Sequence, residues 1–181
     1  MYKLRELEKK DLFIINQWRN DTELISKLGT PFRFINLNVD EEWFDGYMQN
    51  RNSQVRCAIV EYGNDDIIGL VSLVSIDYMN QSAEFHIMIG NKNKQGKGVG
   101  TFAVLAMLYH AFNNLNLQRV ELMVLEDNII ARNLYEKVGF VHEGTKRNAR
   151  YKNGKFVNML IYSILKDEYI MKHVKADKDT V

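Results

Sequence analysis

The sequence predicts one α/β (or α+β) domain in which a mixed sheet carries helices on its faces. Its length of 181 residues suits a single domain with a substantial core. Segments with the two-residue period of strands alternate along the chain with segments of helical period. No stretch rich in Pro, Ser or Gly divides it, so we predict one domain over residues 1–181, ending in a charged, flexible tail at 172–181.

The N-terminal part predicts one strand and two helices. Residues 2–7 alternate as a short strand. Asp11 is placed to cap an amphipathic helix that carries Trp18 on its apolar face and is broken by Gly29-Thr30-Pro31. A second helix is predicted at residues 40–50, where three aromatic side chains recur at helical spacing.

The remainder predicts further strands and two more helices. The clearest helix follows Gly100, with apolar residues at intervals of three and four. A shorter helix is predicted from an Asn128 cap to Gly139, a residue typical of the position just past a helix end. Asn153-Gly154 predicts a two-residue hairpin turn between the last strands. The other strands are predicted at residues 56–62, 67–76, 83–89 and 120–125.

Composition narrows the classes of partner. The formal net charge is +1, so no global field favours nucleic acid or an anionic membrane. A single cysteine, Cys57, excludes an intrachain disulfide and suits a reducing compartment. The four histidines lack the spacing of a metal site, and neither a signal peptide nor an apolar stretch of about 20 residues is evident. We therefore expect a cytoplasmic, metal-free protein.

The most informative segment is Gln95-Gly96-Lys97-Gly98-Val99-Gly100, directly before the clearest helix. Its glycines expose backbone N–H groups, and the helix start adds unpaired N–H groups and the positive end of a dipole, an arrangement that favours pyrophosphate. The spacing excludes a P-loop, because Gly98 stands where that motif needs Ser or Thr, and excludes Gly-x-Gly-x-x-Gly. An ordinary glycine-rich turn remains open for this segment taken alone.

A second segment, residues 126–140, carries Asn128, Ala131, Tyr135 and Gly139-Phe140. Together with Gln-x-x-Gly-x-Gly, this pattern resembles the two signatures of the GCN5-related N-acetyltransferases (GNAT), in the branch of spermidine and ribosomal-protein N-terminal acetyltransferases. The resemblance covers roughly residues 65–169. It implies a GNAT-like fold with a mixed, mostly antiparallel sheet of about seven strands and helices on both faces. It also implies acetyl-CoA as cosubstrate and an amine-bearing acceptor.

The resemblance assigns the cosubstrate contacts. It implies that pantetheine pairs like an added strand with the edge at Ile87, Met88 and Ile89. It implies that the side-chain amide of Asn128 reaches the pantetheine, although a plain helix cap is the alternative. It places the pyrophosphate on the loop residues Gln95, Gly96, Lys97, Gly98, Val99 and Gly100.

Catalytic roles follow from the chemistry of direct transfer. Tyr135 is the candidate general acid for the CoA thiolate, because a phenol stays protonated at pH 7; a packed core tyrosine is the alternative. Glu84 is the candidate base, acting through water, on an amine that is mostly protonated at neutral pH. His86 shares its strand face and is a substitute base, while a merely solvated face remains open.

The acceptor itself is not determined by the sequence. The acidic run Asp40-Glu41-Glu42 could attract a polyamine or be a solvated helix face, and the acidic pair of spermidine acetyltransferases is missing near Arg33. Residues 18–21 resemble acetyltransferases of protein N-termini or nucleotide-linked amino sugars. Polyamine, amino sugar and protein amine therefore stay open, as do self-association and a non-enzymatic CoA-binding regulatory domain or interaction module.

Overall fold

The computed structural model describes residues 1–174 and contains a seven-stranded sheet. The strand order is β1-β2-β3-β4-β5-β7-β6, and only the β4–β5 pair is parallel. This confirms a mixed, mostly antiparallel sheet of seven strands. The strands are β1 (Tyr2–Glu6), β2 (Val55–Glu61), β3 (Gly69–Asp77), β4 (Ser82–Met88), β5 (Arg119–Leu125), β6 (Val141–Lys152) and β7 (Lys155–Leu165).

Six α-helices connect or follow these strands. Two of them were not predicted as separate helices. The four-residue helix Lys166–Tyr169 is too short to show a period of 3.6. The five-residue helix Thr22–Ser26 lies in the stretch predicted as one helix up to Gly29, which the structure divides at Asn20 and Asp21; Asp21 caps the second part by accepting from the Leu24 N–H. The helices are α1 (Leu12–Arg19), α2 (Thr22–Ser26), α3 (Leu37–Gln49), α4 (Val99–Tyr109), α5 (Ile129–Val138) and α6 (Lys166–Tyr169). Turns of π-helix extend α4 over His110–Asn114 and α6 over Ile170–Val174.

Helices cover both faces of the sheet, as the resemblance implies. One apolar cluster lies beneath α1 and α3 and draws its strand residues from β2 and the region around the start of β3, including Ala58 and Val60. The larger cluster lies beneath α4 and α5 and includes Phe85 of β4 and Leu122 of β5. The sheet face beneath α1 and α3 therefore carries polar side chains where β4 meets β5.

The parallel pair β4–β5 is short. Only Ser82–Glu84 of β4 pairs with Arg119–Glu121 of β5. Beyond that point β4 remains paired with β3 alone, and β5 continues to Leu125 paired with β7 alone. The two strands thus form a fork that opens toward their C-terminal ends.

Three local predictions need correction or restriction. Asp11 precedes α1, but its carboxylate accepts from Arg5 and from the Glu8 N–H and does not cap the helix. The helix predicted at 40–50 starts three residues earlier because Asn36 caps it. Of the predicted tail, residues 175–181 lie outside the described residues, whereas His173 lies in the final helical turn with its ring 2.7 Å from the Val138 carbonyl.

Within residues 1–174, no helix has the length and apolarity needed to cross a bilayer.

Candidate active site

The glycine loop presents free backbone donors. Gly96 and Gly98 have φ of 72° and 79°, in the left-handed region where glycine is favoured. A Cβ at either position would meet nothing within 4 Å. Among the described residues, no acceptor bonds the N–H groups of residues 96–101, and the first helical bond runs from the Phe102 N–H to the Gly98 carbonyl at 3.0 Å. The loop therefore offers a cradle of amides at a helix start, which suits a pyrophosphate.

Side-chain contacts hold in place the segment between β4 and the glycine loop. Lys94 pairs with Glu61 at 2.7 Å, and the Gln95 amide donates to the Ile89 carbonyl at 2.8 Å. The Trp18 ring covers Gly90 so closely that a Cβ there would lie 1.9 Å from it. The side chain of Gln95 thus braces the loop in this structure, while the backbone of the following residues remains free to bind.

The predicted pantetheine edge lies on the fork. Ile87 and Ile89 pack against the larger apolar cluster, whereas Met88 belongs to the opposite face, where its register partner is Leu70. Because β4 has no strand partner on its fork side after Glu84, the main-chain groups there are available to an extended ligand. The edge predicted from the sequence therefore has no strand partner in the fold, although its Ile89 carbonyl accepts from the Gln95 side chain.

Tyr135 lies on the α5 side of the fork. Its side chain is 7% exposed and packs edge-on against Phe85 and Phe140, with ring centroids 6.4 and 5.7 Å away. Burial raises the pKa of Tyr135 well above its ordinary value. Its hydroxyl makes no hydrogen bond within residues 1–174 and is not among the fully buried unpaired atoms, so it keeps access to solvent. A phenol held neutral and without a partner is suited to donate a proton.

Glu84 lies on the other face, at the base of the fork. Its carboxylate is 3.2 Å from the His86 Nε2, and no Lys or Arg in the described part of the chain pairs with it. Desolvation lowers the pKa of His86; Glu84 opposes that shift, and Arg56 adds to it. The imidazole is therefore neutral at neutral pH, and Glu84 remains an uncompensated carboxylate.

The two candidate catalytic groups are on opposite faces of the sheet, one on each side of the gap between β4 and β5. Alternation along β4 turns Phe85 toward Tyr135 and Glu84 away from it. An acyl group held in the fork would thus have an acid on its leaving-group side and a base on its acceptor side. This arrangement fits direct attack by an amine on the acetyl carbonyl, without a covalent enzyme intermediate.

Asn128 caps α5 and also ties it to a distant segment. Its Oδ1 accepts from the Ala131 N–H at 3.1 Å, and its Nδ2 donates to the Lys27 carbonyl at 2.9 Å. The cap predicted from the sequence is confirmed. The amide retains one N–H and one lone pair for a further contact, so pantetheine binding by Asn128 remains a prediction.

Two residues of this region were not identified as candidates from the sequence. Glu121 lies directly beside Glu84, because the two are register partners at the last paired position of β4 and β5. Arg56 lies level with His86 across β3 and stacks on Trp43, with its guanidinium carbon 4.8 Å from the ring centroid. Alternation within each strand put these side chains on one face, but only strand order brings them together.

The residues considered for acceptor specificity have structural partners. Asp40 is fully buried against Arg19 and Asn16, so it does not contribute to a surface acidic cluster. Asn20 bonds both backbone groups of Ile35. The pattern at residues 18–21 is thus explained by packing, capping and ion pairing. Within residues 1–174, no group of three or more His, Cys, Asp or Glu side chains is placed to hold a metal ion.

A free amide cradle, an open fork and the candidate acid and base on either side of it suit an acyl-CoA-dependent transferase. Residues 2–141 match the family model described as an acetyltransferase (GNAT) domain. Spermidine N(1)-acetyltransferase of Vibrio cholerae is 33% identical over 168 residues, covering 92% of this chain and 94% of that protein. Ribosomal-protein-serine acetyltransferase of Escherichia coli is 24% identical over 106 residues, covering 59% of each.

A solved structure agrees with the sequence relatives. The crystal structure of the Vibrio cholerae spermidine N-acetyltransferase in complex with CoA and spermine has a TM-score of 0.87, at 31% identity. The match covers 93% of this chain and 98% of that one. The chain belongs to the GNAT family and is an acetyl-CoA-dependent N-acetyltransferase. The similarity reaches residue 2, well before residue 65, where the sequence motifs alone placed its start.

Proposed function

We propose that this protein transfers the acetyl group of acetyl-CoA to a primary amine of a polyamine. The observation that carries the proposal is Glu84, an uncompensated carboxylate at the base of the fork whose ionisable partner, His86, is neutral at neutral pH. A protonated amine would pair with this carboxylate before reacting. The spermidine acetyltransferase relative, which covers nearly the whole chain, supports the same acceptor class.

The groove beside Glu84 supports a cationic acceptor. It has a volume of about 320 Å³ and is lined by the carboxylates of Glu84, Glu121 and Glu143 together with Arg119 and Lys146. Arg119 is bonded to Glu143 at 2.8 Å and to Glu121 at 3.1 Å, so its charge is already engaged. Three carboxylates against two cations leave the groove net acidic, which favours an elongated polyamine over a neutral amine.

Each proposed step belongs to a named side chain. Acetyl-CoA supplies an acetyl thioester, and the free amides of residues 96–101 would hold its pyrophosphate. Glu84 accepts a proton from the ammonium through water, which frees the amine to form the C–N bond. As the C–S bond breaks, Tyr135 donates a hydrogen bond to the departing sulfur, and the second proton that the nitrogen loses in becoming an amide ends on that sulfur as the thiol. We propose that these events occur in the cytoplasm, the compartment expected from the single cysteine.

One observation favours a second acceptor class. Within residues 1–174, Arg56 has no carboxylate partner, although it stacks on Trp43 beside the proposed acceptor site. An amine that carries an anionic group, such as a nucleotide-linked amino sugar, would satisfy that guanidinium. This candidate is kept as the alternative outcome of the same experiment.

The test is thiol release from acetyl-CoA with a panel of amines: spermidine, spermine, a nucleotide-linked amino sugar and a peptide with a free N-terminus. We expect the highest kcat/KM with a polyamine and a large loss in Glu84→Gln. The matched control is Asp167→Asn, which removes the charge of an exposed carboxylate on α6 that belongs to neither the groove nor the acidic run at residues 40–42. A preference for the amino sugar, with a loss of that activity in Arg56→Met, would replace the polyamine proposal. A lack of thiol release with every amine in the panel would refute it.

A further inference from the structure

A buried lysine holds the turn that follows α2. Lys152, the last residue of β6, is 8% exposed. Its ammonium donates to the carbonyls of Ile25 at 2.7 Å, Leu28 at 2.8 Å and Thr30 at 2.8 Å. An ammonium has three N–H donors, and each is used here. The Ile25 carbonyl also accepts from the Leu28 N–H, so Lys152 reinforces the end of α2 and ties the turn that follows it to a distant strand.

Two further contacts anchor α2 on both sides of the fork. At its start, Lys92 pairs with Asp21 at 3.0 Å and with Glu23 at 2.7 Å. At its end, Asn128 donates to the Lys27 carbonyl at 2.9 Å. Lys92 follows β4 and Asn128 follows β5, and because these strands are parallel, both lie at the open end of the fork. Helix α2 and its turn therefore bridge the fork opening.

We infer that Lys152 is a positioning residue for the acceptor, because its ammonium fixes the α2 bridge (residues 22–30) across the mouth of the fork. The inference rests on the proposed function, since the amine must pass the open end of the fork to reach the acetyl group beside Glu84 at its base. The bridge then forms one wall of that entrance, and its position depends on a lysine outside the groove that Glu84, Glu121 and Glu143 line. Arg150 adds one bond, from its Nε to the Gly29 carbonyl at 3.0 Å.

The kinetic test removes the three donors and keeps the side-chain length. Lys152→Met is expected to raise the KM of the acceptor about fivefold, equivalent to about 1 kcal/mol, with the KM of acetyl-CoA unchanged. Lys152→Arg, which restores charged donors, should recover most of the acceptor KM. The matched control is Lys155→Met, an exposed lysine paired with Lys152 across the hairpin, which should leave both constants unchanged. An unchanged acceptor KM, or an equal rise in both KM values, would overturn the inference.

A second measurement needs no acceptor. The N–H groups of Lys27 and Leu28 donate to the carbonyls of Leu24 at 3.2 Å and Ile25 at 3.1 Å. In Lys152→Met, hydrogen exchange of these two amides should accelerate about tenfold while α4 is unaffected. Unchanged exchange would refute the bridge. Accelerated exchange in a protein that acetylates no amine would refute the proposed function and keep the anchoring role.

The inference stays testable if Lys152→Met does not fold. Arg150→Gln removes a single surface bond to the same turn and should give a smaller acceleration at Leu28. It should also give a smaller rise in the acceptor KM, again without a change in the KM of acetyl-CoA. Wild-type exchange and kinetics in Arg150→Gln, together with an unfolded Lys152→Met, would mean that Lys152 stabilises the fold and does not position the acceptor.

Discussion

Replacing Tyr135 with Phe tests the proposed acid with the smallest possible change. The substitution deletes one hydroxyl and leaves the ring packed against Phe85 and Phe140. Because that hydroxyl has no hydrogen-bond partner among the described residues, its removal should cost almost no stability. The expected effect is therefore on catalysis alone.

The size of the catalytic effect follows from the acidities involved. General acids contribute about 10²–10⁴ in rate. Burial raises the pKa of Tyr135, whereas thiols ordinarily have a pKa of about 8.5, so complete proton transfer to the thiolate is uphill. Tyr135 then acts mainly by hydrogen bonding to the charge that develops on sulfur. We expect kcat to fall about 10- to 100-fold, or about 1.4 to 2.7 kcal/mol.

A second buried tyrosine provides the control. Tyr162 is 1% exposed and donates to the Glu136 carboxylate at 2.6 Å, away from the fork. Tyr162→Phe should lower the free energy of unfolding by about 1.5 kcal/mol, because it breaks a bond to a charged group. In a protein of this size that is a fall in Tm of roughly 3–6 °C. Its kcat should be unchanged.

The assay is steady-state thiol release at saturating acetyl-CoA, paired with thermal unfolding of both variants. We expect a crossed pattern: activity lost and Tm kept in Tyr135→Phe, and the reverse in Tyr162→Phe. Full activity in Tyr135→Phe would remove Tyr135 from its role. A large fall in its Tm would mean that the hydroxyl has a structural partner.

Three further outcomes are expected. Gly98→Ala places a Cβ in open space but at φ 79°, so it should lower the free energy of unfolding by about 1–2 kcal/mol and raise the KM of acetyl-CoA. Its control, Gly46→Ala within α3, should raise the free energy of unfolding by about 0.5–1 kcal/mol. Arg56→Met should move the acid limb of the pH–rate profile to higher pH, because Arg56 lowers the pKa of His86; an unmoved limb would mean that this imidazole does not control the rate. Hydrogen bonds from an arginine and a serine lower the pKa of Glu143 to about 2. The contribution of Glu143 to stability is therefore present above the ordinary glutamate pKa and is lost as the pH falls toward 2. In urea titrations, the free energy of unfolding of Glu143→Gln should fall less steeply with decreasing pH than that of the wild type.

Local features of the site could be predicted because nearby residues determine them. The left-handed glycines 96 and 98 and the Asn128 cap depend on contacts within about four residues. The same holds for the Asn153-Gly154 turn, whose residues have φ of 50° and 82°. Alternation along β4 likewise placed Glu84 and His86 on one face before any partner strand was known.

The sequence by itself determined the sheet-and-helix class, the free amide loop and the acid–base candidates, because periodicity and backbone preference are encoded residue by residue. Only the tertiary structure decided that β4 and β5 pair for three residues and then separate, which creates the fork. It also decided that Asp40 is buried and that Lys152 reinforces the end of a helix 127 residues away along the chain. Such contacts depend on strand order and on packing between distant segments, and no local pattern carries that information.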